Sequence, residues 1–202
     1  MANINIIEED AQDELTFHNY ATIPIAFQVN ARFSVQAVEN GSGGLRLTEE
    51  RVTPPFWKNY DADEDEGPGR WKERFDLSHW GVLGAFVDGE RVGGAAIAWN
   101  TPGVDMLEGR TDLAELWDLR VRPECRGHGV GFRLFQAAVA WTRARACLEL
   151  KVETQDINVA ACRFYARQGC ELRTVQPGVY PDFPHEVRLL WHLRMEPAWG
   201  VG

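Results

Sequence analysis

The 202-residue sequence contains no uninterrupted apolar run long enough to span a bilayer, so we expect no membrane-spanning helix. Its first residues, MANINIIEEDAQDELTF, are acidic where a secretory signal is basic and then apolar. We therefore expect a cytoplasmic protein. The four cysteines form no CxxC pair and lack zinc-ligand spacing with histidine, which predicts free thiols and no metal site.

Basic residues are the minority among the charged side chains. The sequence has 21 Lys and Arg against 30 Asp and Glu, which gives a net charge of −9. A nucleic-acid partner needs a dominant basic face, so this class of partner is not expected. The acidic excess is compatible with a cationic small-molecule substrate. The sequence leaves open whether the chain forms a homodimer.

The pattern of apolar residues predicts one α+β domain over residues 1–202. The hydrophobic fraction, 45%, is sufficient for the core of such a domain. Antiparallel strands come first, with a hairpin signal at Asp88-Gly89, followed by strand–helix–strand–helix–strand–strand. This order predicts a mixed, mostly antiparallel sheet with helices on both faces. The central elements are strands at 111–121 and 148–154 and helices at 131–146 and 158–169.

The stretch RVRPECRGHGVGFRLF, residues 120–135, places three glycines between a strand and an amphipathic helix. The first turn of a helix leaves backbone N–H groups without partners and is electropositive. Glycines at 127, 129 and 131 let a phosphate approach these amides, and Arg122 and Arg126 add positive charge. The spacing matches neither GxGxxG nor a Walker loop. The alternative is a compact helix entry, but the neighbouring arginines favour phosphate binding.

A second candidate site lies in NVAACRFYARQGC, where Asn158 and Tyr165 share one helix face with Cys162 between them. Asn158 could act only as a helix cap, and Tyr165 could pack in the core. Taken together they favour a site. A tyrosine hydroxyl can protonate a departing thiolate, and an asparagine amide can bind an amide-rich chain.

These two stretches resemble one family. VRPECRGHGVG resembles the V-x-P-x-x-R-G-x-G-x-G signature of the GNAT superfamily of acyl-CoA N-acyltransferases, and NVAACRFYARQGC resembles its second motif. The resemblance covers residues 80–195 in order. It implies the GNAT fold with α/β/α layers, in which two central parallel strands, here 114–121 and 148–154, splay around the acyl-CoA. It also implies acetyl-CoA as cosubstrate.

The resemblance assigns cofactor-binding roles by position. Asn158 would contact the pantetheine arm, and Tyr165 would also protonate the leaving thiolate. Backbone groups of Leu119 and Val121 would face the pantetheine. The pyrophosphate would be bound, mainly through main-chain amides, by Arg126, Gly127, His128, Gly129, Val130 and Gly131.

Three further stretches are similar to streptothricin acetyltransferases: NTPGVDMLEGRTDLAELWDLRV, LKVETQDINVAACRFYARQGC and YPDFPHEVRLLW. This likeness implies acetylation of a primary amine on a small cationic acceptor. Residues 1–75 would form the acceptor side and 80–195 the cofactor-binding core. The alternatives are another acceptor (a protein N-terminus, a polyamine or an aminoglycoside) or a non-catalytic acyl-CoA sensor.

The expected reaction is direct attack by the amine, without an acyl-enzyme at Cys162. An alkylammonium, whose pKa is about 10.4 in lysine, must first lose a proton. Candidate carboxylates are Glu115, Asp118 and Glu153, of which we expect the last two to contact the amine. Either could be the general base. Arg120 lies on the same strand face as Asp118 and offers a structural explanation for that carboxylate.

Overall fold

The computed structural model describes residues 3–62 and 67–195. They belong to two compact units. Of the described residues, the first unit comprises 3–25, 59–62, 67–152 and 193–195, and the second comprises Ala26–Lys58 and Glu153–His192. The expected organisation as one domain over 1–202 stays a prediction.

The predicted order of strands and helices from residue 81 onward is confirmed, with boundaries shifted by a few residues. The first strand, the first helix and the long third strand were not predicted. No helix in the described ranges has both the length and the hydropathy of a bilayer span. In chain order the elements are β1 (Asn5–Glu9), α1 (Glu14–Ala21), β2 (Phe27–Ala37), β3 (Leu45–Lys58), α2 (Trp71–Arg74), β4 (Gly81–Val87), β5 (Glu90–Trp99), β6 (Leu113–Val121), α3 (Val130–Ala144), β7 (Glu149–Gln155), α4 (Val159–Arg167), β8 (Glu171–Pro177) and β9 (Val187–Arg194).

Two adjacent glycines in β5 allow helices to pack on both faces of the sheet of the first unit. A Cβ at Gly93 would lie 3.1 Å from Leu134 of α3, and a Cβ at Gly94 would lie 2.5 Å from the ring of Tyr20 in α1. Neighbouring strand residues point to opposite faces, so α1 and α3 cover opposite sides. The strand order here is β1–β4–β5–β6–β7, and every pair except the last is antiparallel.

The parallel pair β6 and β7 is short. Its register runs from Leu113 opposite Glu149 to Leu116 opposite Val152, whereas β6 continues to Val121 beside β5. A bulge in β6 places the extra residue Trp117 between the positions that pair with Ala96 and Ile97. The backbone of β6 therefore leaves its parallel partner just before Asp118.

The second unit contains the β2–β3 ribbon, the end of β7, helix α4 and the antiparallel pair β8–β9. Asp156 follows β7 and is completely buried. Its carboxylate forms an ion pair with Arg32 of β2 and accepts a hydrogen bond from the Val187 N–H at 2.7 Å. A buried carboxylate is stable only with such partners, so Asp156 fixes the start of β9 next to the end of β7.

Candidate active site

Two glycines of the loop after β6 adopt left-handed backbone conformations. Gly127 and Gly129 have φ angles of 79° and 86°, in the left-handed region that strongly favours glycine. A Cβ at either position would meet no atom of the described residues within 4 Å. Backbone conformation therefore explains these glycines better than close packing, and the surface of the loop stays accessible to a ligand.

Helix α3 begins directly after this loop. Gly129 is the N-cap residue, and it has no side chain that could bond to the first-turn amides. The first helical hydrogen bond runs from the Arg133 N–H to the Gly129 carbonyl at 3.0 Å. The preceding amides of the first turn cannot bond within the helix. They form a donor set of the kind that binds phosphate. Val130 is buried at the base of the turn, whereas His128 is exposed.

The Arg126 side chain holds the glycine loop in place through hydrogen bonds and also gives it a positive charge. Its Nε donates to the Val121 carbonyl at 3.0 Å, and its Nη2 lies 3.5 Å from the Pro24 carbonyl. Burial lowers the pKa of Arg126 from its ordinary value, but a guanidinium stays charged at neutral pH. Arg126 thus joins the glycine loop to the end of β6, close to the expected backbone contacts at Leu119 and Val121.

In the second unit, Asn158 caps α4. Its Oδ1 accepts a hydrogen bond from the Ala161 N–H at 3.1 Å. This is the helix-capping role that the sequence analysis gave as one alternative for Asn158. One carbonyl oxygen satisfies the cap, and the amide group also carries two N–H donors. Contact between Asn158 and a pantetheine arm stays a prediction.

Tyr165 and Cys162 lie on the buried side of α4. Tyr165 is 6% exposed and packs edge to face against Phe164, with ring centroids 5.1 Å apart. Cys162 lies 3.3 Å from the Thr154 hydroxyl, and burial raises the pKa of its thiol to about 11. A thiol is a poor nucleophile when its pKa is raised in this way. The geometry therefore agrees with the expectation that Cys162 forms no acyl-enzyme.

Asp118 lies in a dense ionic network in the first unit. Its carboxylate is 2.6 Å from Arg120 Nη2 and accepts the Tyr20 hydroxyl at 2.7 Å. The same guanidinium donates to Asp61 at 2.7 Å and to the Ile23 carbonyl at 3.1 Å. Burial lowers the pKa of Arg120, but the charge and hydrogen bonds of Asp118 outweigh this effect and raise it above the ordinary value. The pairing of Asp118 with Arg120 is confirmed.

Glu153 lies in the second unit, one residue past the last position of β7 that pairs with β6. The Tyr180 hydroxyl donates to its Oε1 at 2.6 Å, and Arg188 Nη1 lies 3.6 Å from its Oε2. Its side chain is 25% exposed. Lys151, two residues earlier, bonds instead to Glu108 at 2.6 Å within the first unit. Glu153 is the more accessible of the two carboxylates expected to contact an amine.

Sequence reasoning missed the distant partners of both carboxylates. Tyr20 and Asp61 surround Asp118 and Arg120, while Tyr180 bonds to Glu153. The position of Gln155 beside Glu153 could have been predicted, because residues two apart in a strand point to the same face. The others are separated from their partners by long stretches of chain and carry no local signal. Across the described ranges, no group of three or more His, Cys, Asp or Glu is arranged to hold a metal ion.

A family model described as "Acetyltransferase (GNAT) family" matches residues 45–170. The chain belongs to the GNAT family. The expected fold class and the expected enzyme class, an acetyltransferase, are thereby confirmed.

Two relatives of this GNAT protein are both named as streptothricin acetyltransferases. Streptothricin acetyltransferase of Escherichia coli is 27% identical over 194 residues, covering 94% of each chain. Streptothricin acetyltransferase A of Bacillus subtilis (strain 168) is 28% identical over 167 residues, covering 79% of this chain and 84% of the relative. A Bacillus anthracis str. Ames protein assigned as a streptothricin acetyltransferase, solved with acetyl coenzyme A, is 25% identical. It superposes with a TM-score of 0.73 over 96% of this chain and 100% of its own.

Proposed function

We propose that this protein transfers the acetyl group of acetyl-CoA to a primary amine of a small cationic acceptor, and that streptothricin is that acceptor. The observation that carries the acceptor is the similarity to streptothricin acetyltransferase of E. coli, which extends over 94% of both chains. The open glycine loop at the start of α3 supports the cofactor. Its residues fit a pyrophosphate because Gly127 and Gly129 have left-handed φ angles and the amides that follow them begin a helix.

When bound, acetyl-CoA supplies a thioester whose acyl carbon an amine can attack. The main-chain amides of Gly127–Gly131 hold the pyrophosphate, and Arg126 adds positive charge. His128 and Val130 contribute their backbone N–H groups, with the His128 side chain towards solvent. Backbone groups of Leu119 and Val121 orient the pantetheine, as does the amide of Asn158.

Two residues carry the proton transfers in this proposal. The Tyr165 hydroxyl donates its proton to the departing thiolate. A carboxylate binds the acceptor ammonium, and the proton that the ammonium must lose before it attacks passes to that carboxylate, directly or through water. Glu153 is proposed as the main contact with the amine because a quarter of its side chain is exposed. Contact between Asp118 and the amine stays a prediction, since Arg120 and Tyr20 already bond to that carboxylate.

A thiol-release assay with acetyl-CoA tests the function directly. The amine panel is streptothricin, an aminoglycoside, spermidine, free lysine and a short peptide. Selective turnover of streptothricin supports the proposal, and selective turnover of another amine keeps the reaction but rejects this acceptor. Binding of acetyl-CoA without any turnover would favour the sensor alternative.

A matched pair of glycine variants tests the loop in the same assay. Gly129→Leu should raise the KM for acetyl-CoA about tenfold or more, because each charge-assisted hydrogen bond contributes about 1.5–3 kcal/mol. Gly89→Leu is the control, since Gly89 has a φ of 84° and equally open space but lies in the β4–β5 turn. Equal effects of the two variants would mean that backbone strain, and not the phosphate site, explains the result.

Tyr165→Phe distinguishes the enzyme from a sensor. Loss of a positioned general acid lowers turnover by about a hundredfold or more. The affinity for acetyl-CoA, measured by calorimetry, should change little because the ring remains. Turnover as fast as that of the wild type would remove Tyr165 from the mechanism.

A further inference from the structure

Tyr180, the first residue of the stretch YPDFPHEVRLLW, holds the Glu153 carboxylate in the second unit. Tyr180 lies in the loop between β8 and β9, and its hydroxyl donates to Glu153 Oε1 at 2.6 Å. Gln155 Nε2 donates to the Tyr180 oxygen at 3.0 Å and lies 3.3 Å from Glu153 Oε1. The tyrosine oxygen accepts the Gln155 bond, so its single proton is directed to Glu153.

The second oxygen of Glu153 has a different environment. Oε2 lies 3.6 Å from Arg188 Nη1, which is longer than a normal hydrogen bond. The Arg188 guanidinium is held by Gln176, whose Oε1 accepts from Nε at 2.8 Å and from Nη2 at 2.5 Å. Tyr180 bonds to Oε1 and a quarter of the Glu153 side chain is exposed, which favours Oε2 as the oxygen for an incoming donor.

The Tyr180 hydroxyl remains a donor under the conditions of the reaction. Burial raises the pKa of Tyr180, and the neighbouring charge of Glu153 raises it further. A phenol with a raised pKa keeps its proton throughout the neutral range. The Tyr180 hydroxyl can therefore donate to Glu153 throughout the neutral range.

The loop that carries Tyr180 is anchored within the second unit. The Phe183 N–H donates to the Tyr180 carbonyl at 3.1 Å, and the Glu186 N–H donates to the Phe183 carbonyl at 2.9 Å. Glu186 in turn forms a 2.7 Å ion pair with Lys58, whose ammonium lies 3.3 Å from the centre of the Phe183 ring. Both side chains of this ion pair are largely buried, so the loop has a defined attachment to β3.

We infer that Tyr180 is a positioning residue for the acceptor: it fixes Glu153 so that Oε2 receives the ammonium group of a primary amine. This inference rests on the proposed function and adds the residue that sets amine affinity. A carboxylate held in one rotamer binds a cation with less loss of side-chain entropy than a mobile one. A compact alkylammonium fits this arrangement, because it carries three N–H donors and can direct one of them to Glu153 Oε2.

The test is steady-state kinetics of the full chain with the amine that the panel identifies, with both substrates varied. Tyr180→Phe should raise the KM for the amine about tenfold, the equivalent of one hydrogen bond to a charged group. The KM for acetyl-CoA and kcat should stay within about twofold. Glu153→Gln should raise the amine KM further, to about a hundredfold, because the charge itself is lost.

Glu171→Gln is the matched control, since it removes a carboxylate that pairs at 3.1 Å with Arg173 on β8 and is 72% exposed. It should leave all three constants unchanged. An unchanged amine KM in Tyr180→Phe, whether or not its thermal stability falls, would show a purely structural tyrosine and overturn the inference. A loss of kcat at constant amine KM would also overturn it. No turnover of any amine by the wild type would overturn the proposed function, and this inference with it.

Discussion

Each of the two units contains a tyrosine–carboxylate pair, and the two pairs have nearly the same contact geometry. The Tyr20 hydroxyl donates to Asp118 at 2.7 Å, and the Tyr180 hydroxyl donates to Glu153 at 2.6 Å. Their surroundings differ. The Asp118 side chain is 7% exposed and that of Glu153 is 25% exposed. The hydrogen bond alone therefore does not show which carboxylate can meet a substrate.

The arginine beside each carboxylate accounts for the difference. Arg120 is 1% exposed and directs its donors at Asp118, Asp61 and the Ile23 carbonyl. Arg188 is 27% exposed, donates mainly to Gln176 and stays 3.6 Å from Glu153. A buried carboxylate with a fully bonded arginine stabilises local structure, because removing either partner leaves an uncompensated charge. A carboxylate that is a quarter exposed and 3.6 Å from its arginine keeps capacity for another cation.

Replacing each arginine in turn should give the largest difference in stability between the two tyrosine–carboxylate pairs. Arg120→Met leaves Asp118 and Asp61 without their guanidinium and should lower the free energy of unfolding by about 3–5 kcal/mol. Arg188→Met should cost less than about 1 kcal/mol, because its contact to Glu153 is long and partly solvated. Urea denaturation followed by circular dichroism measures both values. Equal losses would remove the distinction between a buried and an accessible pair.

Neutralising the carboxylates tests the same contrast in stability and in binding. Asp118→Asn should lower the free energy of unfolding by about 2 kcal/mol, because the charge-assisted bonds to Arg120 weaken. Glu153→Gln should change it by about 0.5 kcal/mol, as is usual for partly exposed positions. The amine KM should rise more in Glu153→Gln than in Asp118→Asn. A larger rise in amine KM in Asp118→Asn would make Asp118 the main contact and reverse the comparison.

Removing the two hydroxyl groups should give the smallest effects. Tyr20→Phe deletes a bond to a buried charge and should cost about 1.5 kcal/mol in the free energy of unfolding. Tyr180→Phe should cost less than about 1 kcal/mol, since water can replace the hydroxyl at an exposed carboxylate. Thermal unfolding at a fixed pH compares the two directly. A greater loss in Tyr180→Phe than in Tyr20→Phe would contradict the expectation that the more exposed pair contributes less to stability.

Local patterns were sufficient for part of the fold, including the glycine loop before α3 and the cap of α4. The hairpin at Asp88-Gly89 was predictable because both residues adopt positive φ angles, 50° and 84°. The Asn158 cap was predictable because an asparagine before an amphipathic stretch bonds to the first helical turn. By contrast, β3 was missed, since its exposed residues and prolines hide the period of a strand.

The sequence by itself determined the glycine loop, because positive φ angles at Gly127 and Gly129 are a property of single residues and their neighbours. It also identified Asp118 and Glu153 as chemically unusual residues within strands. Only the tertiary structure decided how they differ. Tyr20 lies 98 positions from Asp118, Asp61 lies 59 positions from Arg120, and Tyr180 lies 27 positions from Glu153. Burial and ion pairing between such distant residues follow from the packing of the chain, which no local pattern encodes.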